Sequence, residues 1–377
     1  MTADDVRRAV SGVVDPELRR PIGELDMVRE VTLDGTMARV GIALTIVGCP
    51  AADRIEREVR EAASSVAGVT EVTVDVGVMT PAERAALTER LRGGPRRMPF
   101  GPDSLTRIIA VTSGKGGVGK STVTANLAVA LAARGLAVGL IDADVHGFSI
   151  PALLGLVGDD GLPPQPTRVD DLMLPPVAHG VKAISIGMFL PRDAPAAGAV
   201  AWRGPMLHRT VQQFLTDVYF GDLDILLLDM PPGTGDVAIS VGQLLPHADV
   251  VVVTTPQAAA ADVAVRSGLV ARQTGQRVVG VIENMSALTL PDGSSLALFG
   301  EGGGAAVAAA LSTDADAVPL LGSVPLSPAL REGGDAGDPV VVARPEDPAA
   351  RALASIASLL ARRPRGLAGR SLPVSPA

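Results

Sequence analysis

The sequence contains one glycine-rich stretch whose spacing is typical of a phosphate-binding loop. Residues 114–121 read Gly-Lys-Gly-Gly-Val-Gly-Lys-Ser, which satisfies the pattern G-x-x-x-x-G-K-[ST]. Glycines at these positions let backbone N–H groups converge on phosphate oxygens, and the N-terminus of a following helix adds the positive end of its dipole. We expect Lys120 to reach the β- and γ-phosphates and the Ser121 hydroxyl to ligate Mg²⁺. The sequence therefore predicts a Mg²⁺-dependent site for a nucleoside triphosphate.

Carboxylates follow two apolar runs of buried-strand length. Asp229 follows residues 225–228, and Asp142 follows residues 136–141, with Asp144 two positions later. In a doubly wound sheet, ligands bind at the carboxyl ends of the strands. We therefore expect Asp229 to hold Mg²⁺ through water, and Asp142 and Asp144 to contact Mg²⁺ and position the attacking water.

The segment after Asp229 has the composition of a switch loop. Residues 231–236 read Pro-Pro-Gly-Thr-Gly-Asp. Glycine peptides can flip when a γ-phosphate leaves, as a switch requires. A rigid turn is the alternative interpretation.

Lysine is rare in this chain, which makes its position informative. Of 33 basic residues only Lys115, Lys120 and Lys182 are lysines. A lysine retained where arginine is otherwise used indicates a place that needs a compact ammonium rather than a planar guanidinium. Two of the three lie in the glycine-rich loop.

The elements that must position these residues form two patterns. Residues 1–92 read as a small α+β domain with a hairpin at Asp34-Gly35. Residues 93–104 are rich in Gly, Pro and Arg and are interpreted as a linker. Residues 105–365 alternate apolar runs with helical periods, which predicts a mostly parallel sheet with helices on both faces, and residues 366–377 are interpreted as a disordered tail.

Composition excludes several function classes. The net charge is −8, the wrong sign for a protein that coats nucleic acid. A single cysteine excludes a disulfide framework and self-contained CxxC metal sites. The N-terminus shows no apolar leader, and no uncharged apolar run is long enough to cross a bilayer. We therefore expect a cytoplasmic protein with neither nucleic acid nor membrane as a partner.

The second domain resembles a known family. Lys115 is the second lysine of the deviant Walker A motif K-G-G-V-G-K-S-T found in the MinD/ParA/nitrogenase-iron-protein class of dimerising P-loop ATPases, and the match within that class is to the Mrp/ApbC iron–sulfur carrier family. The stretches that carry the resemblance are residues 111–122, 142–151, 202–207, 229–236, 283–286, 299–304 and 326–338.

The resemblance implies a homodimeric, ATP-hydrolysing carrier that transfers iron–sulfur clusters to apoproteins and works with assembly scaffold proteins. Lys115 is expected to reach the nucleotide of the other subunit, and Asn284, at a strand end, suits an adenine contact. The expected catalytic residues are Lys115, Lys120, Asp144 and Asp229. The expected nucleotide-binding residues are Gly114, Lys115, Gly116, Gly117, Val118, Gly119, Lys120, Ser121, Thr122 and Asn284. The expected Mg²⁺ ligands are Ser121, Asp142 and Asp229.

The first domain resembles the small iron–sulfur assembly domain that this family often carries. Cys49, the only thiol, lies where a strand meets a helix N-terminus, which is expected to depress its pKa. Family members typically carry a C-x-x-C after Glu-Asn-Met-Ser, whereas residues 287–295 contain no cysteine. A labile cluster would therefore start at Cys49, and an inert buried thiol is the alternative.

Two other functions stay open. One is a MinD/ParA-like positioning or partitioning ATPase, which would need a basic amphipathic helix or a basic patch. The other is an ATPase scaffold for cluster assembly that holds no cluster itself.

Overall fold

The computed structural model describes residues 2–46, 49, 51–92, 98–145, 147–190, 204–290 and 292–362. The predicted tail and residues 93–97 of the predicted linker lie outside this part of the chain. The first elements are α1 (Ala3–Ser11), β1 (Val28–Asp34), β2 (Met37–Leu44), α2 (Ala52–Ser64), β3 (Glu71–Val78) and α3 (Pro81–Arg92). They are followed by β4 (Arg107–Ser113), α4 (Lys120–Ala132), β5 (Val138–Asp142), α5 (Ile150–Leu153), β6 (Thr167–Val169), β7 (Leu172–Leu174), β8 (Val177–Ala178), β9 (Val181–Ser185), a 3₁₀ turn (Ile186–Phe189), α6 (Gly204–Asp217), β10 (Ile225–Asp229), α7 (Asp236–Leu244), β11 (Asp249–Thr254), α8 (Ala258–Gln273), β12 (Arg277–Glu283), β13 (Leu288–Thr289), β14 (Ser295–Leu296), α9 (Gly303–Leu311), β15 (Leu320–Ser323), α10 (Pro328–Ala336), α11 (Val340–Ala343) and α12 (Pro348–Ala361).

The chain forms two compact units, and the first contains the N-terminal elements. Its sheet has the order β1-β2-β3, with β1 and β2 antiparallel and β2 and β3 parallel. The predicted hairpin is confirmed, since Asp34 pairs with Met37 and Gly35 adopts a φ of +59°, which glycine adopts without a Cβ penalty. Helix α2 buries Ile55, Val59 and other side chains four residues apart against this sheet.

The first unit also includes a hairpin from far along the chain. Residues 166–177 and 217–221 pack with residues 1–97. The β6–β7 hairpin buries Val169, Leu172 and Leu174 in the core of this unit, at 0%, 2% and 1% exposure. The Thr88 hydroxyl donates to the Val169 carbonyl at 3.3 Å. These segments lie within residues 105–365, and nothing in their sequence pattern indicated that they pack with the N-terminal elements.

The second unit is built on an eight-stranded sheet of order β15-β12-β11-β4-β10-β5-β9-β8. The seven strands from β15 to β9 are joined by parallel pairings, and helices such as α4 and α8 cover the two faces. The predicted mostly parallel sheet with helices on both faces is therefore confirmed. The inner strands β4, β5, β9 and β10 read as largely apolar runs because they are buried along their whole length. Within the described residues, no helix has both the length and the apolar character that crossing a membrane requires.

Candidate active site

The glycine-rich loop connects β4 to α4, as its pattern predicts. Gly117 and Gly119 both adopt a φ of +77°, and Gly119 is the N-cap of α4. A Cβ on Gly114 would lie 2.3 Å from the Ala264 backbone nitrogen of α8, closer than real Cβ contacts occur. The loop can therefore take this path only with glycine at these positions.

The loop forms one wall of a cleft of about 470 Å³, a volume within the range of small-ligand sites. The predicted residues that line it are Lys115, Gly116, Gly117, Val118, Gly119, Lys120, Ser121, Thr122 and Asp144. The other lining residues are Ser113, Gly147, Ser149, Pro231 and Pro232. The last two belong to the predicted switch loop, where the Gly233 N–H donates to the Ser113 carbonyl at 2.8 Å.

A buried ion pair joins Lys120, which lines the cleft, to Asp229, which is not among the lining residues. Lys120 Nζ lies 2.8 Å from Asp229 Oδ1, and the two side chains are 6% and 0% exposed. Ser121 Oγ donates to Asp229 Oδ2 at 2.6 Å, and Thr124 Oγ1 donates to Oδ1 at 3.0 Å. Burial raises the pKa of Asp229, and the Lys120 ammonium opposes that shift. The structure thus brings Lys120, Ser121 and Asp229 together at the carboxyl end of β10.

The two carboxylates after β5 occupy different environments. Asp144 lines the cleft, with Oδ2 at 3.9 Å from Lys120 Nζ and Oδ1 accepting the Gly147 N–H at 3.1 Å. Asp142 is 0% exposed and accepts four hydrogen bonds from the protein. Burial, together with the charge of Asp229, raises the pKa of Asp142 to about 8. The Mg²⁺ contact of Asp142 stays a prediction.

Asn284 contacts the loop rather than standing apart from it. Its backbone N–H donates to the Thr254 carbonyl at 2.8 Å, and its Nδ2 donates to the Val118 carbonyl at 2.9 Å. A Cβ on Gly119 would lie 2.2 Å from that Nδ2 atom. Asn284 therefore supports the loop from the end of β12, while its adenine contact stays a prediction.

Lys115 points to a neighbour on its own chain. Its Nζ donates to Gln257 Oε1 at 3.3 Å, and Gln257 is the N-cap of α8. Lys115 is half-buried and lines the cleft. Its hydrogen bond goes to Gln257, not to the Lys120–Asp229 pair.

A family model for the NUBPL iron-transfer P-loop NTPase matches residues 104–361. The chain belongs to this family. A second model, for the iron-sulfur cluster assembly protein, matches residues 3–76. The resemblance inferred from the deviant Walker A motif and the first domain is therefore confirmed.

The chain is similar to curated bacterial proteins named iron-sulfur cluster carrier protein. The chain is 55% identical to the one from Mycobacterium bovis, over 98% of this chain and 96% of the relative. It is 41% identical to the one from Synechocystis sp., over 96% and 97%, and 38% identical to the one from Bacillus subtilis, over 86% and 88%.

Solved structures include similar nucleotide-binding proteins. A nucleotide-binding protein from Archaeoglobus fulgidus in complex with ADP matches 63% of this chain and 92% of its own, at 34% identity and a TM-score of 0.47. The septum site-determining protein MinD of Pyrococcus horikoshii complexed with Mg-ADP matches 70% and 98%, at 26% identity and a TM-score of 0.47.

Cys49 lies in the first unit, the part that matches the assembly-protein model. It is 6% exposed, and its Sγ donates to Glu17 Oε2 at 3.7 Å. Glu17 Oε1 accepts the Thr167 hydroxyl at 2.8 Å, which ties this pair to the β6–β7 hairpin. Burial, reinforced by the carboxylates of Glu17 and Asp15 and opposed by a hydrogen bond from the Ala51 backbone, raises the pKa of Cys49 to about 11. The prediction of a depressed thiol pKa is wrong, because desolvation outweighs the helix N-terminus.

Besides the cleft-lining residues Ser113, Gly147 and Ser149, the sequence did not identify Thr124, Ser185 and Gln257 as residues of the site. Thr124 lies one helical turn after Lys120, a spacing that indicates a shared face. Ser185 ends the strand beside β5, and Gln257 follows the strand beside β4. Ser185 and Gln257 could be assigned to the site only once the strand order was known. Thr124 could have been predicted from its i+4 spacing to Lys120.

Proposed function

We propose that the chain is a Mg²⁺-dependent ATPase that acts as a homodimer and carries iron–sulfur clusters to apoproteins. Membership of an iron-transfer P-loop NTPase family and relatives named as cluster carriers support this proposal. The observation that carries it is the contact of Lys120 and Ser121, which line the cleft walled by the glycine-rich loop, with the buried Asp229.

The cleft fits a nucleotide with its metal ion. The Ser121 hydroxyl and the Asp229 carboxylate are hard oxygen donors 2.6 Å apart, the donor type that Mg²⁺ prefers. When bound, Mg²⁺ would neutralise charge on the β- and γ-phosphates. Lys120 supplies a second positive charge at the same point, and Asp144 at the cleft wall is placed to orient a water.

The proposed dimer gives Lys115 its role. On its own chain, Lys115 makes one hydrogen bond to a neutral side chain, so releasing it costs little. We place its ammonium at the nucleotide of the partner subunit, where it adds to the charge that stabilises phosphoryl transfer. The homodimer and the cytoplasmic location stay predictions.

The cluster is cargo for this chain, since the described residues do not form a ready-made site for it. No group of three or more His, Cys, Asp or Glu side chains within them is arranged to hold a metal ion. Cys49, the only thiol, is buried and hydrogen-bonded to Glu17. We therefore propose labile binding in which Cys49 supplies one ligand per chain and apoprotein or scaffold partners supply the others.

ATP hydrolysis tests the enzymatic part. Lys120→Ala is expected to lose ATP binding and turnover, whereas Asp144→Ala is expected to bind ATP and stop hydrolysis. Lys115→Ala is expected to keep ATP affinity and lose both turnover and ATP-dependent dimer mass in light scattering. Arg266→Ala, an exposed change on α8, serves as the matched control. Equal binding and turnover in Lys120→Ala and the parent would contradict the assignment.

Cluster carriage needs a separate test. The parent and Cys49→Ala are reconstituted anaerobically with iron and sulfide, and iron content, absorbance and transfer to an apoprotein that depends on a [4Fe–4S] cluster are measured. The expected result is a substoichiometric, transferable cluster in the parent and none in Cys49→Ala. A cluster that persists in Cys49→Ala refutes the Cys49 ligand. An ATPase without any cluster in the parent supports the scaffold alternative instead.

A further inference from the structure

Asp142 is placed differently from Asp144, the carboxylate two residues later. It ends β5 in register with Asp229 on β10 and with Ser185 on β9, and like Asp229 it is 0% exposed. Asp144, two residues later, lines the cleft, whereas Asp142 is not among the lining residues. Its side chain is therefore buried in the sheet layer beneath the cleft wall.

The hydrogen bonds of Asp142 tie together one stretch of chain. Its Oδ1 accepts the Asp144 N–H at 3.2 Å, at the start of residues 143–150. Its Oδ2 accepts the N–H groups of Ser149 and Ile150, both at 3.2 Å, at the end of the same stretch. The Ser185 hydroxyl also donates to Oδ2 at 3.0 Å, which fixes the carboxylate to β9.

This donor set leaves little capacity for a metal ion. A carboxylate oxygen has two lone pairs, and three donors already converge on Oδ2. A carboxylate removed from water needs such donors, since an unpaired buried charge is strongly unfavourable. The arrangement satisfies a buried carboxyl group with the two ends of one segment.

We infer that Asp142 is a positioning residue, whose carboxylate anchors both ends of residues 143–150 and thereby holds Asp144 at the wall of the cleft. Asp144 makes its own hydrogen bond within this stretch, to the Gly147 N–H, and reaches towards Lys120. The catalytic part of this inference rests on the proposed function. The anchoring part concerns the folded chain alone.

The test compares Asp142→Asn with the parent in the full chain. Asparagine keeps the shape but replaces one acceptor oxygen with an NH₂ group, which repels the N–H donors facing it. Amide hydrogen exchange is measured without nucleotide, and turnover, ATP affinity and the half-saturating Mg²⁺ concentration are measured separately. Ser185→Ala removes one donor and keeps the carboxylate. Leu353→Ala, a fully buried change in α12, controls for a general loss of stability.

Anchoring predicts a specific combination of results. In Asp142→Asn, exchange of the Asp144, Ser149 and Ile150 amides rises about tenfold or more, because these are the amides that donate to Asp142. Turnover falls about 100-fold, the size of effect that a displacement near 1 Å produces. ATP affinity and half-saturating Mg²⁺ stay within about twofold of the parent, since neither ligand contacts Asp142 in this arrangement. Ser185→Ala shifts exchange and turnover in the same direction by less, and Leu353→Ala leaves exchange in this stretch no higher than elsewhere in its unit.

Other results overturn the inference. A half-saturating Mg²⁺ concentration that rises tenfold or more in Asp142→Asn, with exchange unchanged, makes Asp142 a metal ligand. If amide exchange over this stretch is unchanged in both Asp142→Asn and Ser185→Ala, Asp142 does not anchor it. If Asp142→Asn does not fold, Ser185→Ala decides by the same readouts. A parent that hydrolyses no ATP contradicts the proposed function, while the exchange measurement still decides the anchor by itself.

Discussion

Removing the charge of Lys120 is expected to destabilise the folded protein, in addition to its effect on ATP. Lys120 Nζ lies 2.8 Å from Asp229 Oδ1, and both side chains are almost completely buried. In Lys120→Met the Asp229 carboxylate keeps the hydroxyl donors of Ser121 and Thr124 but loses its cation. A buried carboxylate left without its partner is the main source of the cost.

The size of the effect follows from that arrangement. Removing one partner of a buried ion pair costs about 3–5 kcal/mol, and the two remaining hydroxyl donors place this case at about 3. The double variant Lys120→Met with Asp229→Asn removes the uncompensated charge. It is therefore expected to be more stable than Lys120→Met alone, so the two changes are strongly non-additive.

Urea denaturation of the nucleotide-free protein, followed by circular dichroism, measures this effect. With a slope of about 3 kcal/mol per molar, Lys120→Met lowers the midpoint by about 1 M. Lys115→Met is the matched control, since Lys115 is half-buried with one neutral partner, and its midpoint is expected to stay near that of the parent. A midpoint in Lys120→Met equal to that of the parent, or a double variant less stable than Lys120→Met, would refute the reasoning.

Three further predictions use other parts of the molecule. The pKa of Cys49 is raised to about 11, so its thiolate fraction at pH 7.5 is about 0.03%. Alkylation of Cys49, followed by mass spectrometry, should therefore be slow, should accelerate with rising pH, and should be faster in Glu17→Gln. A rate that does not depend on pH would contradict this prediction. Asn284→Ala leaves a loop carbonyl without its donor and should weaken ATP binding about fivefold in calorimetry, whereas an unchanged affinity would show that the loop does not need it. Gly114→Ala forces a Cβ into the α8 backbone and should lower the melting temperature by several degrees. Gly116→Ala should not, because the atom nearest to its added Cβ would be 3.9 Å away. Equal melting temperatures in the two variants would exclude the steric argument.

Local sequence was sufficient for the parts of the fold and site that depend on local chemistry. The strand, loop and helix around Lys120 follow from glycines at fixed offsets between apolar runs, and Asp229 follows from an acid at a strand end. Each of these patterns depends only on residues within about ten positions of one another in the chain. The alternation of apolar runs and helical periods likewise predicted the parallel sheet, because buried strands and crossover helices each have their own period.

The properties that sequence analysis missed depend on distant partners. Asp142 was assigned to Mg²⁺ because it follows an apolar run at the carboxyl end of a strand, whereas its hydrogen-bond partners Ser185 and the start of α5 could not be read from that position. The pKa of Cys49 was expected to be low from its place before a helix, but burial and Glu17 raise it. Neither the depth of burial nor a neighbour that is remote in sequence can be read from the residue's own position.

The β6–β7 hairpin has a consequence for the order in which the chain can fold during its synthesis. Helix α3 ends at Arg92, but Val169, Leu172 and Leu174, which fill the same core, are made about 80 residues later. At a ribosomal rate of about 5–20 residues per second, that delay is roughly 4–16 s. During this interval the nascent N-terminal segment exposes the apolar surface that the hairpin will cover, while β4, the glycine-rich loop and α4 are emerging. The first unit therefore cannot be completed until part of the second unit has been synthesised, and folding of the two units overlaps in time.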